Sequence, residues 1–249
     1  MIAGIITNKE KDPALSYTAQ VREFLIGHGV SISENFPTDA DFWVVLGGDG
    51  TMLRCAHLAA MHDIPLLGIN LGTLGFLTDT EKPDGLEVLQ KVLSGEYETE
   101  KRMMLEAEGH LALNDVFVGA AGGLKTFDLY VNGHLLDTIR ADGIIVATPT
   151  GSTAYSLSAG GPLLMPGGQM MVVTPVCPHS LSTRPLVIGA EDTVRIVAHQ
   201  ACPIIVDGEN IGETQPHIGV FVCKSMHSAT IIKTTHAHLY DVLRKKKFI

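Results

Sequence analysis

Phe42-Trp43-Val44-Val45-Leu46-Gly47-Gly48-Asp49-Gly50-Thr51 is the stretch on which the reading of this chain turns. A five-residue apolar run stops abruptly at three glycines that bracket one acid, and Met52 to Met61 then reads as a helix. A strand that passes through a glycine turn into a helix N-terminus is where α/β proteins place phosphates. Glycine lets the backbone come close to a ligand that a Cβ would block. The acid is the odd member, because a pure phosphate cradle has no use for a negative charge. Asp49 must meet a metal or accept a proton, or else Gly-Asp-Gly is ordinary turn chemistry.

Outward from this point, residues 1–100 alternate strand and helix signals. Ala3 to Thr7 reads as a strand, Asp12-Pro13 opens a helix toward Gly29 with Leu15, Ala19, Val21 and Leu25 as its apolar stripe, and Ile64 to Ile69 is a further strand. Pro83 to Leu93 is the cleanest helix, with Leu86, Leu89 and Leu93 at helical spacing, Pro83 in the first turn and Gly95 at the stop. Strand–helix–strand order predicts a parallel sheet with helices on its faces. Past residue 100 the pattern changes to short strand-like runs: 111–118, 126–131, 134–140, 144–147, 171–174, 194–198, 204–207 and 219–222. Asn132-Gly133 between two of them is a strong hairpin signal. This half is expected to be an all-β sandwich over 101–235, with 236–249 as a C-terminal segment that packs back on the first domain, and the active site is expected in the cleft between domains.

Composition bounds the function. The 249 residues carry 45% hydrophobic and 18% charged side chains, as a globular enzyme does. A net charge of -9 argues against nucleic acid as the main partner. Arg244-Lys245-Lys246-Lys247 is the one basic cluster and reads as a solvated tail. Four separate cysteines without a Cys-x-x-Cys spacing suggest neither zinc nor a redox pair and suit a reducing cytoplasm. No signal peptide and no membrane-length apolar run is expected.

A second stretch, Asp142 to Gly161, runs Ile144–Ala147 into a loop of Gly, Ser and Thr, whose hydroxyls and N–H groups suit ribose and phosphate oxygens. Between the two lies Leu113-Asn114-Asp115-Val116, an amide–acid pair in an apolar context, or an Asx turn. With these three motifs in this order and spacing, the chain resembles the NAD kinases over nearly its whole length. Related glycine–aspartate turns occur in diacylglycerol kinase-like lipid kinases and phosphofructokinases, so the twenty residues from Asp142 to Gly161 are the more specific signature.

The resemblance implies the two-domain architecture just described and phosphoryl transfer from ATP, or polyphosphate, to the adenosine ribose 2′-hydroxyl of NAD. It makes Asp49 the base that draws off the hydroxyl proton. Gly47, Gly48, Gly50 and Thr51 then form the phosphate loop, the glycines giving room for triphosphate and ribose, with Asp49 and Gly50 also against NAD. Mg²⁺ is expected with ATP, bridging its phosphates and keeping waters, and no residue is singled out as its ligand. Asn114 and Asp115 match the family's adenine- or ribose-contacting pair, where the second position is often Glu, one methylene longer. Asp142 matches an acid near the nicotinamide end. Thr150, Thr153, Ala154 and Tyr155 fall where the family contacts NAD, as does the run Ser156-Leu157-Ser158, and Tyr155 can stack on a flat ring. Asp207 matches a position that approaches the cofactor, often across a subunit boundary, and the family's habit implies a homodimer or homotetramer.

Three further candidates come from the residues themselves. Arg140 shares a strand face with Asp142 and could pair with a phosphate or carboxylate, or be a surface arginine. Arg54, in the helix after Asp49, could reach phosphates or be solvated. Phe76 could line an adenine pocket or be plain core. No Gly-Lys-Ser/Thr exists, and the glycines at 68, 72 and 75 only half match a dinucleotide fingerprint. A lipid kinase of related fold and a non-catalytic NAD-binding regulator stay open as alternatives. Activity on diacylglycerol but not NAD would mark the first, and nucleotide binding without turnover the second.

Overall fold

The computed structural model describes residues 1–34, 36–72, 75–78, 80–234 and 244, so the expected C-terminal segment 236–249 lies outside the described residues apart from Arg244. The chain divides into two units, Met1–Lys101 with Ser228–Ile249, and Arg102–His227.

In the first unit, β1 (Ile2–Thr7), β2 (Ser31–Ser33), β3 (Phe42–Gly47), β4 (Leu66–Asn70) and β5 (Thr80–Glu81) pair in parallel in the order β2-β1-β3-β4-β5. β3 and β4 are buried along their whole length, which is why they read as continuous apolar runs and not as alternation. Phe42, Val44 and Leu46 face α1 (Ser16–Gly27) and α3 (Gly85–Leu93) in one core cluster. On the other face of the sheet, α2 (Asp49–Met61) brings the Met52 sulfur to 3.0 Å from where a Cβ on Gly68 would stand. The strand order reverses between β1 and β3. The loops leaving these neighbours at their carboxyl ends therefore diverge to opposite faces and open a crevice, the usual ligand position in such sheets.

The inward stripe of α1 differs from the expected one. Tyr17, Val21 and Leu25 are buried, whereas Ala19 is exposed and Leu15 precedes the helix in a left-handed conformation (φ 51°). The helix starts at Ser16 and not at Asp12, because the Asp12 carboxylate reaches forward to accept the N–H groups of Tyr17 and Thr18.

The second unit is a sandwich. One antiparallel sheet runs β13 (Leu186–Gly189), β12 (Met170–Val176), β11 (Gly143–Ala147), β8 (Asp115–Gly119), β15 (Pro203–Val206), β16 (Glu209–Glu213). The other pairs β10 (His134–Ala141), β9 (Lys125–Val131) and β14 (Val194–Ala198) with the first part of β17 (Gly219–Lys233). Val116, Ile144 and Met171 from the first sheet meet Phe127, Val194 and Val220 from the second in one core cluster. The hairpin at Asn132-Gly133 forms with positive φ at both residues (51° and 80°), the conformation this pair favours.

The run 111–118 is two strands, β7 (His110–Ala112) and β8, broken at Leu113-Asn114. β17 extends eleven residues past the expected 222, and its Ile231 pairs in parallel with Leu66 of β4. β6 (Glu98–Ala107), β13 and β16 were not expected; β6 and β16 carry several charged residues, which hides them as strands.

Trp43, the only tryptophan, is fully buried in β3, donates its indole N–H to the Pro37 carbonyl at 3.0 Å, and lies edge-on to Phe36. Trp43→Ala is expected to lower the unfolding free energy by about 3–5 kcal/mol, read as an earlier urea midpoint by circular dichroism. A midpoint within error of the parent would place Trp43 outside the core.

Candidate functional site

The first cluster of candidate residues sits at the carboxyl ends of β1, β3 and β4. Gly48 is the N-cap of α2, in extended conformation, and Asp49 is the first helical residue. An acid in the first turn favours the helix, but its carboxylate is turned away from its own helix. Oδ2 accepts the N–H of Phe76 at 2.7 Å; Oδ1 accepts the N–H of Leu77 at 3.0 Å and the Thr78 hydroxyl at 3.5 Å. The loop after β4 can wrap this closely because residue 75 is glycine: a Cβ there would stand 1.8 Å from Asp49 Oδ1. The same loop is tied to β3 by Leu71 N–H to the Gly47 carbonyl, and Gly72 N–H bonds to Asn70 Oδ1.

The glycines of the turn have different reasons. A Cβ on Gly47 would lie 2.3 Å from Thr51 Oγ1, so the room expected there for a triphosphate is taken by Thr51, which is itself buried and accepts Asn8 Nδ2 at 3.4 Å. A Cβ on Gly50 would meet open space. A Cβ on Gly48 would stand 2.9 Å from Lys11 Nζ. Lys11 is a residue that sequence reading missed. It lies in the loop after β1, and only the pairing of β1 with β3 brings it to the glycine turn. Phe76 is half-buried and serves Asp49 through its backbone. Arg54 is exposed on α2.

The second cluster is the Asn114-Asp115 segment of the second unit. Asp207, at a positive φ of 49°, accepts the N–H groups of Leu113, Asn114 and Asp115 at 2.6, 2.8 and 3.0 Å. Its carboxylate is thus a staple of this segment and stands beside the motif from a distant part of the sequence. From the other side, Thr148 donates its hydroxyl to the Leu113 carbonyl at 2.6 Å and its N–H to the Asn114 carbonyl at 2.9 Å. Gly151 packs on Asn114 so closely that a Cβ would lie 2.0 Å from the Asn114 carbonyl oxygen. The two motifs thereby become one structure. Asp115 is buried, and that burial, then the charge of Asp207, pushes its carboxyl up to about 7.

The Thr150–Ser158 run is sorted by burial. Thr150 is buried and accepts a bond from Arg102, itself a buried cation that sequence reading missed within a charged strand. Ser156 is fully buried and its hydroxyl pairs with Thr174, so its side chain supports the loop. Thr153, Ala154 and Leu157 are half-buried, and Thr153 Oγ1 donates to the Thr150 carbonyl. Ser158 is exposed, as is Tyr155, whose ring meets Phe117 edge-on at 5.4 Å. Asp142 is half-buried between Ala120 and Val176, bonded to both through its backbone, while Arg140 is exposed on β10.

Comparison with known proteins matches residues 29–97 to the ATP-NAD kinase N-terminal domain and residues 113–234 to the ATP-NAD kinase C-terminal domain. The NAD kinase of Caldanaerobacter subterraneus subsp. tengcongensis is 37% identical, over 98% of this chain and 97% of its own. That of Nitrosomonas europaea is 40% identical over 86% of this chain and 76% of its own. Among solved structures, an NAD kinase from Archaeoglobus fulgidus in complex with ATP superposes with a TM-score of 0.86 at 26% identity, covering both chains completely. Yeast NADH kinase complexed with NADH has the same fold, with a TM-score of 0.86 at 24% identity over all of this chain and 88% of its own. With an α/β unit built around the Gly48-Asp49 turn, a β-sandwich carrying the Asn114-Asp115 segment, and matches of this extent, the chain belongs to the NAD kinase family.

Proposed function

We propose that the protein transfers the γ-phosphoryl group of ATP to the 2′-hydroxyl of the adenosine ribose of NAD, giving NADP and ADP. The observation that carries this reading is Asp49: a carboxylate at a helix N-terminus, beside a topological crevice, held in one orientation by two backbone N–H groups. Oδ2 accepts one N–H and has a second lone pair, so a carboxylate so fixed can still accept a hydroxyl proton there. In the reaction the ribose oxygen bonds to the γ-phosphorus, the bond to the β–γ bridging oxygen breaks, ADP leaves with the electron pair, and the hydroxyl proton passes to Asp49. Positioning and charge stabilisation do most of the work in such transfers.

Among the described residues no group of three or more acids, histidines or cysteines is placed to hold a metal. Both Asp49 oxygens already face backbone donors. These residues suit Mg²⁺ arriving as part of the donor, held by ATP's own phosphates and water. We assign the dinucleotide to the Asn114-Asp115 segment, where the backbone is clamped by Asp207, and to the exposed ring of Tyr155. All four cysteines are free thiols, which supports a reducing compartment, the cytoplasm.

Asp49→Asn, whose amide oxygen can keep only one of the two backbone N–H bonds, is expected to lose about a hundredfold or more in NADP formation from NAD, ATP and Mg²⁺. Unchanged turnover would move the base elsewhere. Gly75→Ala is expected to lose a similar share of activity by displacing the Asp49 carboxylate; parent-like turnover would show that the loop relaxes around the added methyl.

Because the Asp115 carboxyl is raised, the folded state keeps a proton there that the unfolded state releases near pH 4, so the contribution of this group to stability falls as pH rises from about 4 to about 7 and then levels. Asp115→Asn is therefore expected to gain stability relative to wild type across that window, by about 1–3 kcal/mol between pH 5 and 8, while weakening NAD binding. Thermal unfolding at the two pH values tests it, and a pH-independent difference would refute it.

A further inference from the structure

We propose that Lys11 is the cation that grips the polyphosphate chain of the donor, holding it against the Gly48 turn while the γ-phosphoryl group moves. This rests on the kinase reading above and adds to it a residue that no motif marks.

The placement of Lys11 is built by the surrounding chain. Asn8 opens the loop after β1, and its N–H bonds to the Leu46 carbonyl at the end of β3. Its side chain bonds to Thr51 on α2 and accepts the N–H of Glu10, and its carbonyl accepts the N–H groups of Lys11 and Asp12. Asp12 in turn is fastened to the first turn of α1. The backbone at Lys11 is therefore fixed from both sides. Its ammonium stands 2.9 Å from where a Cβ on Gly48 would be and 3.1 Å from where one on Gly72 would be, with Asn70 Oδ1 3.8 and 3.9 Å from the same two points. Glycine at 48 and at 72 leaves the space in which the ammonium lies.

A purely structural lysine would not be expected here. A cation at a helix N-terminus is opposed by the helix dipole, and Lys11 Nζ makes no ion pair with a described carboxylate to offset that. An anion between the ammonium and the first N–H groups of α2 reverses the sign of both interactions. Lysine binds phosphate as a point charge with three donors. ATP's phosphates bring several negative charges to a site that already holds Asp49, so a local cation is needed to receive them. Arg54, the cation first expected there, lies farther along α2 and is exposed. Lys9, two residues away, has the same charge and exposure and serves as the control.

The test compares wild type with Lys11→Ala, Lys11→Arg and Lys9→Ala in the full chain. Initial rates of NADP formation are measured with ATP varied at saturating NAD and the reverse, and inorganic tripolyphosphate binding is followed by calorimetry. Lys11→Ala is expected to raise KM for ATP about ten- to hundredfold, as loss of a charge-assisted contact does, to leave KM for NAD within about twofold, and to abolish tripolyphosphate binding. Lys11→Arg should recover part of the loss, and Lys9→Ala should behave as wild type. ATP parameters within about twofold of wild type in Lys11→Ala would overturn the proposal. So would a rise in KM for NAD alone, which would assign Lys11 to the dinucleotide's pyrophosphate. If wild type forms no NADP, the kinase reading fails, and tripolyphosphate binding still decides for or against Lys11: loss in Lys11→Ala alone supports it, and equal or absent binding in all variants refutes it.

Discussion

Two backbone amides, those of Phe76 and Leu77, hold the Asp49 carboxylate, and much of the first unit is arranged so that they can. The carboxylate belongs to the helix after β3; the amides belong to the loop after β4. They meet because β3 and β4 are parallel neighbours in register from Trp43–Leu66 to Gly47–Asn70, which ends both strands at the same level. Gly75 removes the one side chain that would keep them apart. A helix N-terminus alone would have offered Asp49 its own free N–H groups. Turning the carboxylate outward to another loop leaves those N–H groups available to an anion, and sets a proton acceptor beside them.

The second unit uses the same device for a different end. Asp207 collects three consecutive backbone N–H groups, but its own carboxylate is the fastener, and the segment it fastens is the one proposed to meet the dinucleotide. It sits in a tight turn at positive φ between β15 and β16, two strands that bring it beside β8. Its negative charge then acts on Asp115, which adds to the effect of burial. Fastening the segment and tuning its acid are thus consequences of one side chain. Conformational precision here comes with a burial penalty on Asp115, a common arrangement in binding sites.

What could be read from sequence divides along a physical line. β3 and the turn after it were legible because a doubly buried strand is a continuous apolar run, and a glycine turn has few other causes. The Asn132-Gly133 hairpin was legible because its backbone demands those residues. β6 was not, since five of its first residues are polar or charged and only its later half is buried. Gly47 looked like a ligand glycine, and only the packed structure shows Thr51 occupying its side. Asp207 is marked in the sequence only by its family position, and the hydrogen bonds it makes to the Asn114-Asp115 segment depend on strand pairing across more than ninety residues. Lys11 carries no local signal at all. Its meaning arises from a strand order that no spacing encodes.

The charge balance makes that last point general. The chain carries a net charge of -9, yet its family acts on nucleotides that are themselves anions. Global charge cannot attract them, and at physiological ionic strength fields from distant side chains are screened beyond about 8 Å. Affinity must come from a few donors set within a short radius of the phosphates. On the proposed reading those are, in the first unit, the N-terminal N–H groups of α2 and the Lys11 ammonium, and, in the second, the hydroxyl-rich loop that Arg102 supports from behind Thr150. A net negative chain repels polyanions at large, while the space left at Gly48 and Gly72 lies beside the Lys11 ammonium. Selectivity for a small nucleotide over nucleic acid then follows from where the few cations stand and not from how many the chain has.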